Sequence, residues 1–404
     1  MKLRRLPEDF QVTELSTAVA NGGPFALYRL TKTSIGTPEA IGAINQRWQI
    51  HRKRISYGGL KDRHAVTVQY LTIHNGPRKD LQQKSFQLEY IGQTSAAYNT
   101  DSFRGNRFVL VLRDMTQDEI ETALSAIDAV QQYGLPNYFD DQRFGSLGFS
   151  GEWIGRSWCL SDWERALWLA LADLHEHDSS SEKKQKRLLQ ELWGQWPECQ
   201  QQLERSHRRS IVTYLSDKVK AGKDPDFRGA FARISVDLRG LYLSAYQSAL
   251  WNRLLSRLVE RICPADCCST VPLLSGPSCF PVSIPADRPQ TTDDSFSLFS
   301  AELPLPSARI DRPEGLMGEI LDQILAEEQM ELRQLRVKYP RDSFFSKGRR
   351  KAIVQPQQLT AATAEDDLYP RRQKLTLSFD LPRGSYATIL VKRLSWTGST
   401  LESS

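Results

Sequence analysis

The spacing of apolar residues divides the chain into a strand-rich start, a helical middle and a strand-rich end. Alternating apolar and polar positions predict strands at residues 10–15 and 25–30. Runs of β-branched residues predict two more strands, at residues 66–73 and 107–113. Residues 374–379 and 386–391 repeat this pattern near the end of the chain. The sequence therefore predicts a sheet that draws strands from both ends of the chain.

Helix-start signals separate these strands. Thr37 followed by Pro38 predicts a helix with a hydroxyl cap, and Thr116 predicts another through a capping box with Glu119. The second helix should end at Gly134, with a buried stripe formed by Ile120, Ala123, Leu124 and Ile127.

From Ser161 onwards the pattern becomes mainly helical. Residues 161–164 predict a helix start, and longer helices are predicted at about residues 187–220, 242–262 and 314–338. Two polar stretches, at residues 178–181 and 279–296, are predicted to be irregular. This order predicts an α+β domain that carries a mostly helical insertion.

Composition narrows the class of protein. Of the 404 residues, 40% are hydrophobic and 25% are charged, which is typical of a soluble globular protein. No apolar run is long enough to span a bilayer, and the first ten residues have no apolar core of the kind that a signal peptide needs. We therefore expect a cytoplasmic protein without a membrane partner.

Four of the six cysteines lie close together in the sequence, at Cys263, Cys267, Cys268 and Cys279. A zinc site is one interpretation of this cluster. Structural zinc sites usually show regular ligand spacing, however, and this cluster has neither paired Cys-x-x-Cys motifs nor a nearby histidine. We expect reduced thiols in a loop-rich region, and no metal.

The segment at residues 55–69 contains the clearest candidate for chemistry. Gly58 and Gly59 predict a tight turn, and Asp62 follows between Lys61 and Arg63. Neighbouring positive charge favours the ionised carboxylate, which suits a nucleophile or a base. On charge pattern alone, a surface turn with an incidental ion pair is the commoner explanation.

Three basic runs in the predicted domain that carries Asp62 favour an RNA partner. A net charge of +5 permits a polyanionic partner, but what matters is where the positive charge clusters. Aromatic residues are interleaved with these runs, as they often are in proteins that bind single-stranded RNA. The candidate RNA-binding residues are Arg52, Lys53, Arg54, Arg349 and Arg350, and a third basic run lies at residues 371–374.

Five segments in order make the chain similar to a known family. They are Pro-Glu-Asp-Phe-Gln-Val-Thr-Glu at residues 7–14, Gly-Leu-Lys-Asp-Arg-His-Ala-Val-Thr-Val-Gln at 59–69, Gly-Asn-Arg-Phe at 105–108, Gly-Leu-Pro-Asn-Tyr-Phe-Asp-Asp-Gln-Arg-Phe-Gly at 134–145 and Leu-Pro-Arg-Gly-Ser-Tyr-Ala-Thr at 381–388. With these segments the chain resembles the TruD family of tRNA pseudouridine synthases. Residues 244–252 are similar to a helix of that family's insertion domain.

The resemblance implies roles for the matched residues. Asp62 matches the catalytic aspartate, and Asn106 and Phe108 match an Asn-x-Phe motif whose ring stacks on the target uracil. The same pocket is implied for Phe10, Arg4, Gly384, Ser385 and Tyr386. From residue type alone, Phe10 and Phe108 would be core aromatics and Asn106 would belong to a turn.

The family resemblance also implies an architecture and a reaction. It implies a mainly antiparallel catalytic domain at residues 1–151 and 342–404, interrupted by an insertion domain at residues 152–341. The implied reaction isomerises uridine 13 in the tRNA D-arm to pseudouridine and needs no cofactor. The resemblance also implies that the protein is a monomer. Two alternatives stay open: a non-catalytic RNA-binding protein or tRNA chaperone on the same fold, and a zinc-dependent nucleic-acid module.

Overall fold

The computed structural model describes residues 1–282 and 297–395, which form two compact units. The first unit comprises Met1–Leu135 and Ile353–Ser404, and the second comprises Pro136–Ala352. The domain bounds expected from the family resemblance stay a prediction. Part of the irregular stretch predicted at residues 279–296 lies outside the described residues.

The strands of the described chain range from 2 to 13 residues. In chain order they are β1 Phe10–Ser16, β2 Phe25–Thr33, β3 Ile55–Tyr57, β4 Val66–His74, β5 Leu81–Gln82, β6 Phe86–Thr94, β7 Phe103–Met115, β8 Leu135–Pro136, β9 Cys268–Leu273, β10 Gly276–Pro281, β11 Glu302–Pro304, β12 Arg349–Lys351, β13 Ile353–Val354, β14 Gln357–Glu365 and β15 Gln373–Pro382.

The helices are concentrated in the second unit. In chain order they are α1 Thr37–Trp48, α2 Gln117–Tyr133, α3 Ile154–Cys159, α4 Trp163–Leu171, α5 Ser180–Glu191, α6 Trp196–Gln202, α7 His207–Lys220, α8 Phe227–Phe231, α9 Val236–Ile262, α10 Gly315–Glu327 and α11 Ala387–Ser395. None of these helices combines the length and the apolar character that a membrane span requires.

One nine-stranded sheet organises the first unit. Its strand order is β14-β15-β7-β1-β4-β2-β6-β5, with β3 added to β4. Strands β1 and β4 pair in parallel, and the other pairs are antiparallel. The C-terminal β15 pairs with β7, so both ends of the unit contribute to the sheet. The prediction of a mixed α+β fold with a mainly antiparallel sheet is therefore confirmed.

The alternating pattern of β2 shows how the core of this unit forms. Ala26, Tyr28 and Leu30 point to one face, where they pack with Ile41 and Ile44 of α1. Side chains two residues apart on a strand share a face, so this alternation sets the side on which α1 packs. Lys32 continues the same series and is also buried.

The predicted strand at residues 386–391 is wrong, because residues from Ala387 onwards form α11. Its β-branched residues suggested a strand, but the buried residues Ala387, Leu390, Val391 and Leu394 follow helical spacing. Tertiary packing here overrides local β propensity.

Two helix predictions need smaller corrections. The buried stripe of α2 comprises Ile120, Ala123, Ala126, Ile127 and Val130, whereas the expected member Leu124 is 37% exposed.

The long helix predicted at residues 187–220 is three helices. The first of them, α5, starts at Ser180 with Ser179 as its cap, inside the stretch predicted to be irregular. The predicted helix is interrupted near Gly194, which has a left-handed φ, and again at Ser206, which caps α7. The helix predicted at residues 314–338 ends at Glu327, and α9 starts at Val236, before the predicted residue 242.

The second unit is built around the 27-residue helix α9. Trp251, Leu254 and Leu255 on this helix are fully buried. The cysteine-rich region packs beside it as an antiparallel hairpin of β9 and β10, not as the expected loops. Hairpin pairing explains how Cys268 and Cys279 come to lie in strands.

Candidate active site

Asp62 lies in the loop that joins β3 to β4, and β4 pairs in parallel with β1. The loop leaves β3 through Gly58, where a Cβ atom would lie 2.5 Å from a ring carbon of Phe103. Such an approach excludes any side chain, so the close-packed turn expected from the glycines exists at Gly58. At Gly59 a Cβ would meet open space.

The ion-pair partner of Asp62 is Arg4, not either of its sequence neighbours. Arg4 Nη2 lies 2.9 Å from Asp62 Oδ2, and the Asp62 side chain stays 39% exposed. The Lys61 ammonium instead lies 2.7 Å from a Glu14 carboxylate oxygen. Arg63 reaches Glu39, in an exposed pair. The expectation that Lys61 and Arg63 supply the positive charge at Asp62 is therefore wrong, because both side chains point elsewhere.

Arg4 connects the carboxylate to a row of aromatic rings. Its guanidinium lies 3.9 Å from the centroid of the Phe10 ring, and its backbone has a positive φ of 59°, which is uncommon for a residue with a side chain. Phe10 meets Phe108 edge to face at 6.3 Å, and Phe108 stacks on Phe379 at 5.5 Å. Phe108 is only 7% exposed. Its role as a stacking platform stays a prediction.

Asn106 and Ser385 each hold a buried polar atom that lacks a hydrogen-bond partner. Several buried polar atoms of the described residues lack a partner, and those at this site are the Asn106 Oδ1, the Ser385 Oγ and the Nε of Arg4, the partner of Asp62. A buried polar atom without a partner costs about 1–3 kcal/mol. A bound ligand that offers hydrogen-bond donors and acceptors would relieve that cost.

Strand register brings these residues near one another. Asn106 pairs with Glu14 on β1 and with Leu381 on β15, and it lies two residues from Phe108 on the same face of β7. The loop after β15 contains Ser385 between Gly384 and Tyr386, and Gly384 has a left-handed φ of 79°. The structure thus gathers Arg4, Phe10, Asp62, Asn106 and Phe108 through contacts and register.

Thr37 anchors the Asp62 loop through its side-chain hydroxyl. Its hydroxyl does not cap α1, since the cap position belongs to Gly36 and makes no side-chain hydrogen bond. The Thr37 hydroxyl instead donates to Gln69 Oε1 at 2.7 Å and accepts the backbone N–H of Lys61 at 3.0 Å. Gln69 in turn donates to the Gly59 carbonyl. The expected cap is a tertiary contact.

Glu14 is the second anchor, and it was not predicted from the sequence as a site residue. Its side chain is fully buried and accepts hydrogen bonds from the Tyr70 N–H at 2.9 Å and the Tyr98 hydroxyl at 3.1 Å, besides its ion pair with Lys61. Burial, together with the Glu14 charge, raises the pKa of the Tyr98 phenol, which therefore stays a hydrogen-bond donor.

The candidate RNA-binding residues have local partners. Arg52 donates to the Ile55 carbonyl and the Tyr57 hydroxyl, and Arg54 donates to the carbonyl of His74, whereas Lys53 is exposed. In the second unit, Arg349 donates to the Glu302 carbonyl. Arg350 donates to Asn137 and lies over the rings of Phe139 and Trp251.

The cysteine cluster spans the end of α9 and the hairpin of β9 and β10, with Cys268 and Cys279 in the strands. Cys263, Cys267 and Cys279 are buried, and all six cysteines are free thiols. A hydrogen bond with Cys268, followed by burial, raises the pKa of the Cys263 thiol. Within residues 1–282 and 297–395, no group of three or more histidine, cysteine or acidic side chains could hold a metal ion.

Comparisons with known proteins agree with one another. The model of the family "tRNA pseudouridine synthase D (TruD)" matches residues 1–394. The probable tRNA pseudouridine synthase D 1 of Methanococcus maripaludis is 30% identical over 403 residues, covering 98% of this chain and 99% of that protein. The tRNA pseudouridine synthase D of Aquifex aeolicus is 28% identical and covers 98% of both chains.

A solved structure shares the fold. The putative tRNA pseudouridine synthase D of Methanosarcina mazei matches with a TM-score of 0.75, covering 98% of this chain and 93% of that one. The two chains are 23% identical.

Proposed function

The chain belongs to the TruD family of tRNA pseudouridine synthases, and on that premise we propose that it isomerises uridine 13 of the tRNA D-arm, with Asp62 as the catalytic carboxylate. The observation that supports this assignment is the setting of Asp62. It is a half-exposed carboxylate in a loop held by buried contacts of its neighbours, and it pairs with Arg4. We also propose that the protein acts as a cytoplasmic monomer.

The reaction balances without an external reagent. The bond between ribose C1′ and uracil N1 breaks, and a bond between C1′ and C5 forms. C5 loses a proton and N1 gains one, so the atoms and electrons of the nucleotide are conserved. In the proposed mechanism, Asp62 either attacks the sugar or removes a sugar proton while the base is detached. Arg4 holds the carboxylate in place for either step.

The neighbouring residues would retain the detached base. Extracting a base from its stack costs a few kcal/mol, which protein contacts must offset. We propose that Phe108 provides the aromatic surface and that Phe10 supports it. The unpaired atoms of Asn106 and Ser385 would then hydrogen-bond the polar edge of the uracil. Gly384 and Tyr386 complete the proposed pocket.

Phosphate contacts are proposed for the basic residues. Lys53 is exposed and would bind the tRNA backbone directly. The four candidate arginines already donate to backbone carbonyls, so they would contribute charge from fixed positions. Replacing Lys53 with Gln should weaken tRNA binding and reduce the slope of log Kd against log salt by about 1. An unchanged slope would remove Lys53 from the interface.

The decisive experiment maps pseudouridine in an unmodified tRNA transcript after incubation with purified protein and no cofactor. Carbodiimide adducts that stop reverse transcription report the modified position. The wild type should modify uridine 13, and a transcript with cytidine at that position should yield no product. Asp62→Asn should be inactive, whereas Asp128→Asn, which changes an exposed carboxylate on α2, should act like the wild type.

The same experiment separates the enzyme from its main alternative. A tRNA chaperone on this fold would bind the transcript and change its folding, but it would not need Asp62. Activity in the Asp62→Asn variant would show that the carboxylate is wrongly assigned. Binding by the wild type without any pseudouridine would favour the chaperone.

A further inference from the structure

Lys32 is a fully buried lysine beneath the Asp62 loop. It lies near the end of β2, on the face where Ala26, Tyr28 and Leu30 form the core with α1. Lysine is rarely fully buried without a partner, because removing an ammonium group from water is costly. Its position in an apolar series therefore requires a reason.

The ammonium group uses its three N–H donors on three backbone carbonyls. Lys32 Nζ lies 2.7 Å from the carbonyl oxygen of Ile35, 2.7 Å from that of Asp62 and 3.4 Å from that of Lys61. Among the described residues it makes no ion pair within 4 Å. The geometry thus fits a charged ammonium, which has three donors and no acceptor.

Two of these carbonyls belong to the peptide groups on either side of the Asp62 α-carbon. Each peptide group is planar, so fixing the directions of both carbonyls restricts both backbone dihedrals of Asp62. The N–H of Lys61 is held in addition by the Thr37 hydroxyl. The side chain of Asp62, by contrast, is bound by Arg4. Lys32 is therefore placed to restrict the direction in which the carboxylate leaves the backbone.

We propose that Lys32 is a positioning residue whose charged form clamps the backbone of Asp62, so that the rate of pseudouridine formation depends on this charge. This inference rests on the proposed function. Lys32 has no route to the reacting atoms, since it is buried and its donors are occupied. Its effect would pass through the orientation of Asp62 alone.

The clamp should loosen as the pH rises. Burial, with a smaller contribution from the charge of Lys61, lowers the pKa of Lys32 to about 8, against the opposing effect of the charges of Asp62 and of Glu39 on α1. A neutral amine keeps two N–H donors and turns a lone pair toward a carbonyl oxygen, so one contact becomes repulsive. The rate should therefore fall as the pH rises through about 8.

The test compares pH profiles of the single-turnover rate constant at saturating protein. Lys32→Met should reduce the rate at pH 7 by about 10- to 100-fold, the range expected for a misplaced catalytic group. Its tRNA affinity should stay near that of the wild type. The fall in rate around pH 8 should disappear. Thr37→Val is the matched control, because it loosens the same loop without removing the charge: it should lower the rate and keep the fall near pH 8.

A second variant keeps the test valid if Lys32→Met does not fold. Glu39 is exposed, so Glu39→Gln should leave the fold intact. Because the Glu39 charge raises the pKa of Lys32, its removal should move the fall in rate to lower pH. An unmoved midpoint, or a Lys32→Met variant with the wild-type rate and profile, would overturn the clamp. If the wild type itself formed no pseudouridine, the proposed function would fail instead, and the Asp62→Asn comparison separates that outcome.

Discussion

The buried ion pair between Glu14 and Lys61 allows the sharpest test of how the Asp62 loop is held. Glu14 is fully buried and Lys61 is 9% exposed on its side chain, with 2.7 Å between the charged atoms. Removing one partner of a buried pair leaves an uncompensated charge and typically costs 3–5 kcal/mol. Glu14→Gln keeps an acceptor for Tyr70 or Tyr98, so we expect a loss near the lower value, about 3 kcal/mol.

The assay should report on this sheet and not on the whole protein. Hydrogen exchange followed by mass spectrometry, with urea as the perturbant, gives the opening free energy of peptides from β4, which contains Tyr70. Lys61→Met should lower that free energy by a comparable amount. The double variant should recover part of the loss, with a coupling energy of about 1–3 kcal/mol, because neither charge is then left alone.

Two results would refute this account of the ion pair. If Glu14→Gln reduced the free energy of opening by less than about 1 kcal/mol, the buried charge of Lys61 would not need Glu14 to compensate it. If the losses of the two single variants were simply additive, the two groups would not be coupled. In the proposed enzyme, the same variant should also lower the rate, since Lys61 immediately precedes Asp62. An unchanged rate would show that the loop keeps its position without this anchor.

Three further outcomes follow from buried polar groups in the same unit. Thr37→Val removes one hydroxyl that serves two partners, so unfolding free energy should drop by about 1–3 kcal/mol, measured by urea titration. Arg113→Met leaves two buried carboxylates without their cation, so it should lower the free energy of unfolding by about 3–5 kcal/mol or prevent folding. Arg107→Met is the control, because its ion pair is exposed, and it should lower that free energy by less than about 1 kcal/mol. The pKa of Lys32 is about 8 in the folded chain and 10.5 ordinarily, so the unfolded chain binds more protons between these two pH values. The free energy of unfolding should therefore rise with pH in this range. Lys32→Met should remove that rise.

Regular elements with consistent signals could be predicted from the sequence. The strands at β1, β2, β4 and β7 were predicted because alternation and β-branched residues agree there. The helix α11 was not predicted, because residues 386–391 combine β-branched residues with helical spacing. Packing of the buried helical face determines the structure there. Local propensity is a weak guide whenever the two signals disagree.

The candidate site was predictable in its members but not in its contacts. Asp62 could be singled out from the sequence, yet its cation is Arg4, 58 residues away, and the neighbouring Lys61 turns to Glu14. Distant pairs of this kind depend on strand order, which the sequence does not reveal. Lys32 did leave a signal, since it continues the buried alternation of β2 where an apolar residue is expected.

The anchors of the Asp62 loop share a physical logic. Glu14, Thr37 and Lys32 are each buried, and each binds a different part of the loop: the Lys61 side chain, the Lys61 N–H, and the carbonyls of Lys61 and Asp62. An apolar anchor could fill the same space, but it could not fix the direction of a peptide group. Buried charges are a poor source of stability, so their presence beneath one half-exposed carboxylate is better explained by orientation than by folding. On this argument, variants of the three anchors should lose rate in proportion to the loss of loop order, whereas an equally destabilising change in the core of α1, such as Ile44→Ala, should leave the rate of the folded enzyme nearly unchanged.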